Sequence, residues 1–132
     1  MTDYKIFRDM MVENASDYVP STKASSMFFA MMQNRLYRHI TGMSAVEIKN
    51  AREICHWQDR ENGKTSPTKK DRDVAKNYLE VSELRKLERL VGRLCLRAED
   101  IAEDGLSLTL ASWEGLVEAE LAVEAPWRLA IA

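Results

Sequence analysis

Apolar residues recur along most of this chain in steps of three and four, the spacing of one helical face. Tyr4, Phe7, Met10, Met11 and Ala15 predict a first helix over about 3–17, with Thr2 as its cap. Pro20 interrupts. Ser21 is the expected cap of a second helix running to about Thr41, with Phe29, Met32, Leu36 and Ile40 as its buried stripe. Gly42 then stands where a helix C-terminus favours glycine. Ser44-Ala45-Val46-Glu47 has capping-box spacing and predicts a third helix from Ala45 to about Cys55. The segment of about 57–68 contains Asn-Gly and Ser-Pro and reads as the one long, flexible loop. Thr68, with Asp71 three positions on, predicts a short fourth helix carrying Ala75-Lys76-Asn77-Tyr78-Leu79. Ser82 is the expected cap of the longest helix, about 83–104. Leu84, Leu87, Val91, Leu94, Ala98 and Ile101 form its seam, Leu90 and Cys95 widen it, and Gly105 stops it. Thr109 begins a last helix to Val123, with Trp113, Leu116, Val117 and Leu121 as its apolar residues. Pro126 closes it, and the tail WRLAIA has no assigned role.

No alternating strand or internal repeat is visible. The expectation is an all-α fold, one compact bundle of about six helices with one long central helix, spanning residues 1–132 as a single domain. Composition agrees with a packed core: 45% of the residues are hydrophobic, 30% are charged, and Gly and Pro are few. Cys55 and Cys95 make no disulfide framework and are expected as free thiols in a reducing compartment. With His39 and His56 they do not supply a zinc-ligand pattern. There is no membrane-length apolar run and no signal-type apolar core at the start, so a cytoplasmic location and no membrane partner are expected.

Charge is unevenly placed despite a net of −2. Residues 64–97 hold ten lysines and arginines against five carboxylates, whereas the acidic C-terminal part, 99–132, holds eight carboxylates and one base, Arg128. Lys69, Lys70 and Arg72, together with Arg85, Arg89, Arg93 and Arg97 at four-residue intervals, form a candidate basic interaction surface. Lys76, Lys86 and the ring of Tyr78 extend it toward a nucleic-acid reading, though no helix-turn-helix pattern supports one. The preferred reading is that basic and acidic helix faces neutralise each other within one fold; the arginine stripe itself can meet phosphates, the acidic helix at Glu114, Glu118 and Glu120, or a protein.

No phosphate-binding glycine loop, nucleophile elbow, His-x-x-x-His or Cys-x-x-Cys is present. Cys55-His56 are only sequence neighbours. No catalytic residue, metal ligand or cofactor site is therefore assigned. Asp17, Tyr18, Gln33, Asn34, Lys76, Asn77 and Tyr78 remain as a candidate polar pocket. Mid-helix asparagines want a reason, because they are poor helix formers. They bond buried backbone at helix crossings, which is the preferred reading, or they line one site.

Two segments carry a resemblance: SDYVPSTKASSMFFAMMQNRLYRHITGMSAVEI (16–48) and KKDRDVAKNYLEVSELRKLERLVGRLCLRAEDIAEDGLSLTLASWEGLVEAEL (69–121). Asp17-Tyr18, Phe28-Phe29, Gln33-Asn34, Ser44 to Glu47, Ala75 to Leu79, Ala98-Glu99 and Trp113 fall in the order and spacing of the C-terminal domain of RhuM-type virulence proteins, which the chain resembles. The chain departs between Cys55 and Lys69, where HWQDRENGKTSPT replaces the Met-Gly-Leu-Thr segment typical of that family. The Fic motif is absent, which excludes AMP transfer of that type. The resemblance implies a bacterial, phage or mobile-element protein, here without the DNA-binding-like N-terminal region of longer members. The leading expectation is a stand-alone interaction module acting on a bacterial host protein or nucleoprotein complex, with inhibition of a host defence complex as one version. A nucleic-acid-binding accessory protein and an enzyme of unknown reaction are the alternatives, and a monomer or small homo-oligomer is expected.

Overall fold

The computed structural model describes residues 4–57, 63 and 66–123. Thr2 as a first cap, most of the 57–68 loop, Pro126 and the WRLAIA tail lie outside the described residues. The fold is all-α, in the order α1 (Tyr4–Glu13), α2 (Lys23–Thr41), α3 (Ala45–Ala51), α4 (Lys69–Asp73), a 3-10 turn (Ala75–Tyr78), α5 (Val81–Glu103) and α6 (Leu110–Val123). The residues group into two compact units, one formed by 1–33 and 89–132 and the other by 34–88. The helices α2 and α5 each contribute a part to both.

In the first unit, burial follows the helical spacing. Phe7 and Met11 of α1, Phe29 and Met32 of α2, Leu90, Val91, Leu94, Cys95 and Ala98 of α5, and Trp113 and Val117 of α6 are all buried. The ring of Phe7 meets Trp113 edge-on at 6.2 Å, a geometry that adds to area burial. A buried indole also needs an acceptor. Trp113 Nε1 donates to the Asn14 carbonyl at 3.2 Å, which also accepts from the Leu108 N–H and the Ser107 hydroxyl. The Ser16 N–H in turn donates to the Leu108 carbonyl. This pairing explains why α1 stops at Glu13 rather than near residue 17: the backbone at 14–16 is committed to 107–108, and the Asn14 amide donates back to the Met10 carbonyl.

Helix α2 begins one residue later than a Ser21 cap would set it. Ser21 adopts φ +60°, and the capping hydroxyl is that of Thr22, which accepts the Ser25 N–H. The Ser25 hydroxyl, itself buried, donates to the Val19 carbonyl. At the far end of α5, Gly105 has φ +69°; its N–H donates to Ala102 and that of Leu106 to Ile101. This is the Schellman pattern that satisfies the last carbonyls of a helix. Thr109 caps α6 by accepting from Ser112, as expected.

In the second unit, Leu36, Tyr37, Ile48, Ala75, Tyr78, Leu79 and Leu87 are buried. Gly42, at φ +81°, ends α2 by donating to Arg38. The Ser44 hydroxyl accepts the Glu47 N–H at the start of α3. The full reciprocal capping box sits instead at α4, between Thr68 and Asp71. Helix α3 ends at Ala51, short of Cys55, because the following segment turns its N–H groups outward to another element. Helix α5 starts at Val81, so Ser82 lies inside it; the Glu83 carboxylate takes the Glu80 N–H and does the capping.

Candidate binding groove

Four of the seven polar candidates bind backbone. In the first unit, an Asp17 carboxylate oxygen accepts the Leu110 N–H at 2.8 Å, capping the first turn of α6 and placing negative charge where the helix dipole favours it. In the second, Asn34 Oδ1 accepts the Ala45 N–H at 2.9 Å and so anchors the start of α3. Asn77 donates its amide to the Asp71 carbonyl, and the Tyr78 hydroxyl donates to the Arg72 carbonyl, both at 2.8 Å.

Those last two bonds belong to a dense junction. Ala75–Tyr78 is 3-10 rather than α-helical, which turns its carbonyls outward. The Asn77 carbonyl accepts the N–H groups of both Cys55 and His56. The Leu79 carbonyl meets His56 Nε2 at 2.9 Å. The Tyr78 carbonyl lies 3.4 Å from Arg52 Nη1. Arg52 also forks onto Glu83, with Nη1 to Oε1 at 2.6 Å and Nη2 to Oε2 at 3.0 Å. The hydrogen bonds from Arg52 hold the Glu83 carboxyl below its ordinary range against the effect of burial, assisted by the Glu80 N–H. The Ala-Lys-Asn-Tyr-Leu stretch is therefore a splice holding 52–56 to the start of α5. Lys76, half-buried, is the member of the stretch whose side chain has no hydrogen bond or ion pair among the described residues.

The other two candidates, Tyr18 and Gln33, line a groove of about 540 Å³ within the first unit. One wall is α1, through Tyr4, Lys5, Arg8, Asp9 and Val12. The other is α2 with its cap, through Thr22 and then Ser25, Ser26, Phe29, Ala30 and Gln33, with Tyr18 and Ser21 closing the loop end. Both sets repeat at helical spacing, so each wall is one helix face. Tyr4 joins the walls: its hydroxyl donates to the Phe29 carbonyl at 2.6 Å, and burial pushes its phenol well above the ordinary tyrosine value, with the Arg8 charge acting the other way. The Tyr18 ring tilts against Phe29 at 6.0 Å. Ser21, at the rim, holds the left-handed backbone that a non-glycine residue rarely adopts.

Polar groups on these walls divide in two. Tyr4, Thr22 and Ser25 satisfy one another or backbone carbonyls. The Tyr18 hydroxyl, the Ser26 hydroxyl and the Gln33 amide make no hydrogen bond among the described residues and face a groove that can supply one. Lys5 and Arg8 share a single carboxylate, Asp9, at 3.3 and 3.7 Å. Sequence reasoning found Tyr18 and Gln33 but missed Lys5, Arg8 and Ser26. Nothing in their spacing distinguishes a groove wall from an ordinary solvated face.

The basic candidates also divide. Lys69, Lys70, Arg72 and Arg85 are exposed in the second unit. In the first, Arg89 is exposed, while Arg93 and Arg97 reach Glu120 of α6 at 3.8 and 3.4 Å. The C-terminal half of the arginine series thus meets the acidic helix, at Glu120. Among the described residues no cluster of three or more metal-binding side chains occurs, and no described helix is long and apolar enough to cross a membrane.

No curated protein and no solved structure matches the chain. A family model does, over residues 2–127, and its description is the virulence protein RhuM family. That match takes in α1 with its groove wall, the 3-10 splice and the whole of α6, and the chain belongs to the virulence protein RhuM family.

Proposed function

We propose that this chain is a helical interaction module, encoded by a phage or other mobile element, that binds and modulates a bacterial host protein or defence complex. One observation carries the reading. On the solvent side of α2, Met27 is 60% exposed and Met31 40%, and the two are neighbours one turn apart. Ala24 and Ala30, also exposed, flank them. An α-helix that buries Phe29, Met32 and Leu36 on one side has no folding reason to carry large thioethers on the other. Flexible, polarisable methionines suit a surface that packs against a partner.

The test is capture from bacterial lysate by the tagged full chain, with bound protein quantified against bait. A stoichiometric partner that is lost with Met27→Lys/Met31→Lys supports the reading. Recovery of no such partner, or retention by the variant, counts against it. A second reading rests on the exposed Lys69, Lys70, Arg72 and Arg85: a nucleic-acid contact, whose affinity would fall steeply with salt. A gel shift with no binding at low salt removes it.

A further inference from the structure

The residues of the first unit, 1–33 and 89–132, include twelve carboxylates and only seven lysines and arginines. Its groove runs against that balance. Lys5 and Arg8 stand on the α1 wall with Asp9 as the one acidic lining residue, and two cations sharing one carboxylate leave positive charge uncompensated. Both are accessible, since their side chains are 72% and 42% exposed. Beside them the groove offers hydrogen-bonding groups that the fold leaves unused, on Tyr18, Ser26 and Gln33. The opposite wall is low: Ser26 and Ala30 are one turn apart, so a segment can approach the α2 backbone closely. Ala30 is also the helical neighbour, three residues on, of the exposed Met27. Cationic wall, polar floor and apolar lip therefore lie side by side on one unit.

We propose that the α1–α2 groove receives an acidic, amphipathic segment of a partner protein, with a partner carboxylate between Lys5 and Arg8 and an apolar partner side chain on Ala30 and Met27. This rests on the interaction reading above and assigns its surface and the chemistry of its partner. The charge of the groove selects the occupant. Opposite charge steers encounter and register, whereas a basic segment meets repulsion from both α1 cations. Tyr18, Ser26 and Gln33 can serve the segment's backbone or carboxylate oxygens, because hydroxyls and amides both donate.

The experiment titrates the 15N-labelled full chain with a capped synthetic peptide of glutamate and leucine in helical spacing, and with its counterpart carrying lysine in place of glutamate. The expected result is that the glutamate peptide moves the amide signals of Lys5, Arg8, Ser26 and Gln33, and that the lysine peptide moves none of them. Lys5→Glu/Arg8→Glu should weaken binding by about tenfold or more, as loss of paired charges does. Lys69→Glu/Lys70→Glu should leave it unchanged. Ser26→Trp, which fills the groove without changing charge, should abolish it and guards against misfolding of the charge variant. Signal changes centred on 69–72, equal binding of both peptides, or no binding at millimolar peptide would each overturn the proposal. Lysate capture separates the two claims. A partner retained by Lys5→Glu/Arg8→Glu but lost by Met27→Lys/Met31→Lys leaves the interaction module standing and removes the groove.

Discussion

Arg52 and Glu83, separated by 31 residues, meet as a two-pronged ion pair at 2.6 and 3.0 Å in a site where both side chains are largely covered. The pair closes the splice in which the carbonyls of Asn77, Tyr78 and Leu79 are taken up by residues 52–56. Arg52→Ala leaves the Glu83 carboxylate half-served and the Tyr78 carbonyl short of a donor. The expected cost is about 1–3 kcal/mol, measured by urea denaturation.

The same pair sets an acid limit. Glu83 is held below its ordinary value of 4.5 by the hydrogen bonds from Arg52, so the folded state binds that proton less readily than the unfolded one. Its contribution is complete above pH 4.5 and is lost as pH falls through the lower folded value. Glu83→Gln should therefore flatten the acid side of the stability profile, seen as a smaller change in urea midpoint below that pH.

Tyr4 sets the opposite limit. Its hydroxyl donates to the Phe29 carbonyl, and burial raises its folded value above the ordinary 10.0. A raised value means that the stabilisation is complete below pH 10.0 and fades as pH climbs beyond it. Tyr4→Phe is expected to cost about 1–2 kcal/mol at neutral pH, from the unserved carbonyl, and to remove the alkaline decline followed by circular dichroism.

Trp113 combines full burial, an edge contact with Phe7 and a hydrogen bond to Asn14. Trp113→Ala should cost about 3–5 kcal/mol through cavity formation. Trp113→Phe keeps much of the volume but drops the donor, and should cost roughly 1–2 kcal/mol. The difference between the two denaturation midpoints separates packing from hydrogen bonding.

Thr68 accepts from the Asp71 N–H, while the Asp71 carboxylate takes the Thr68 N–H and hydroxyl. Thr68→Ala should cost about 1 kcal/mol. Because α4 is only five residues long, faster amide hydrogen exchange should be confined to it and the adjoining 3-10 turn.

Helix positions were legible where local chemistry decides them. The steps of three and four in α5 recur as the buried Leu87, Val91, Leu94 and Ala98. Thr68, Thr109, Gly42 and Gly105 mark ends because hydroxyl caps and left-handed glycines act within one turn. Boundaries failed where a distant segment competes. The chain at 14–16 pairs with 107–108, and the N–H groups of 55 and 56 go to Asn77; neither partner is visible from the neighbouring sequence. Ser21 failed for a local reason: Thr22 offers an equal hydroxyl one residue later, and the backbone at Ser21 turns left-handed.

Of the polar candidates, residue type alone could not separate those that serve the fold from those that face solvent. Asp17, Asn34, Asn77 and Tyr78 find backbone partners across 6 to 93 residues, while Tyr18 and Gln33 find a groove. Periodicity, caps and composition determined that the described chain is all-α, because they depend on interactions within a few residues. Which hydroxyls, amides and cations are left unspent was decided by tertiary structure alone, since a polar group is free only when no distant carbonyl or carboxylate has been brought within about 3 Å of it.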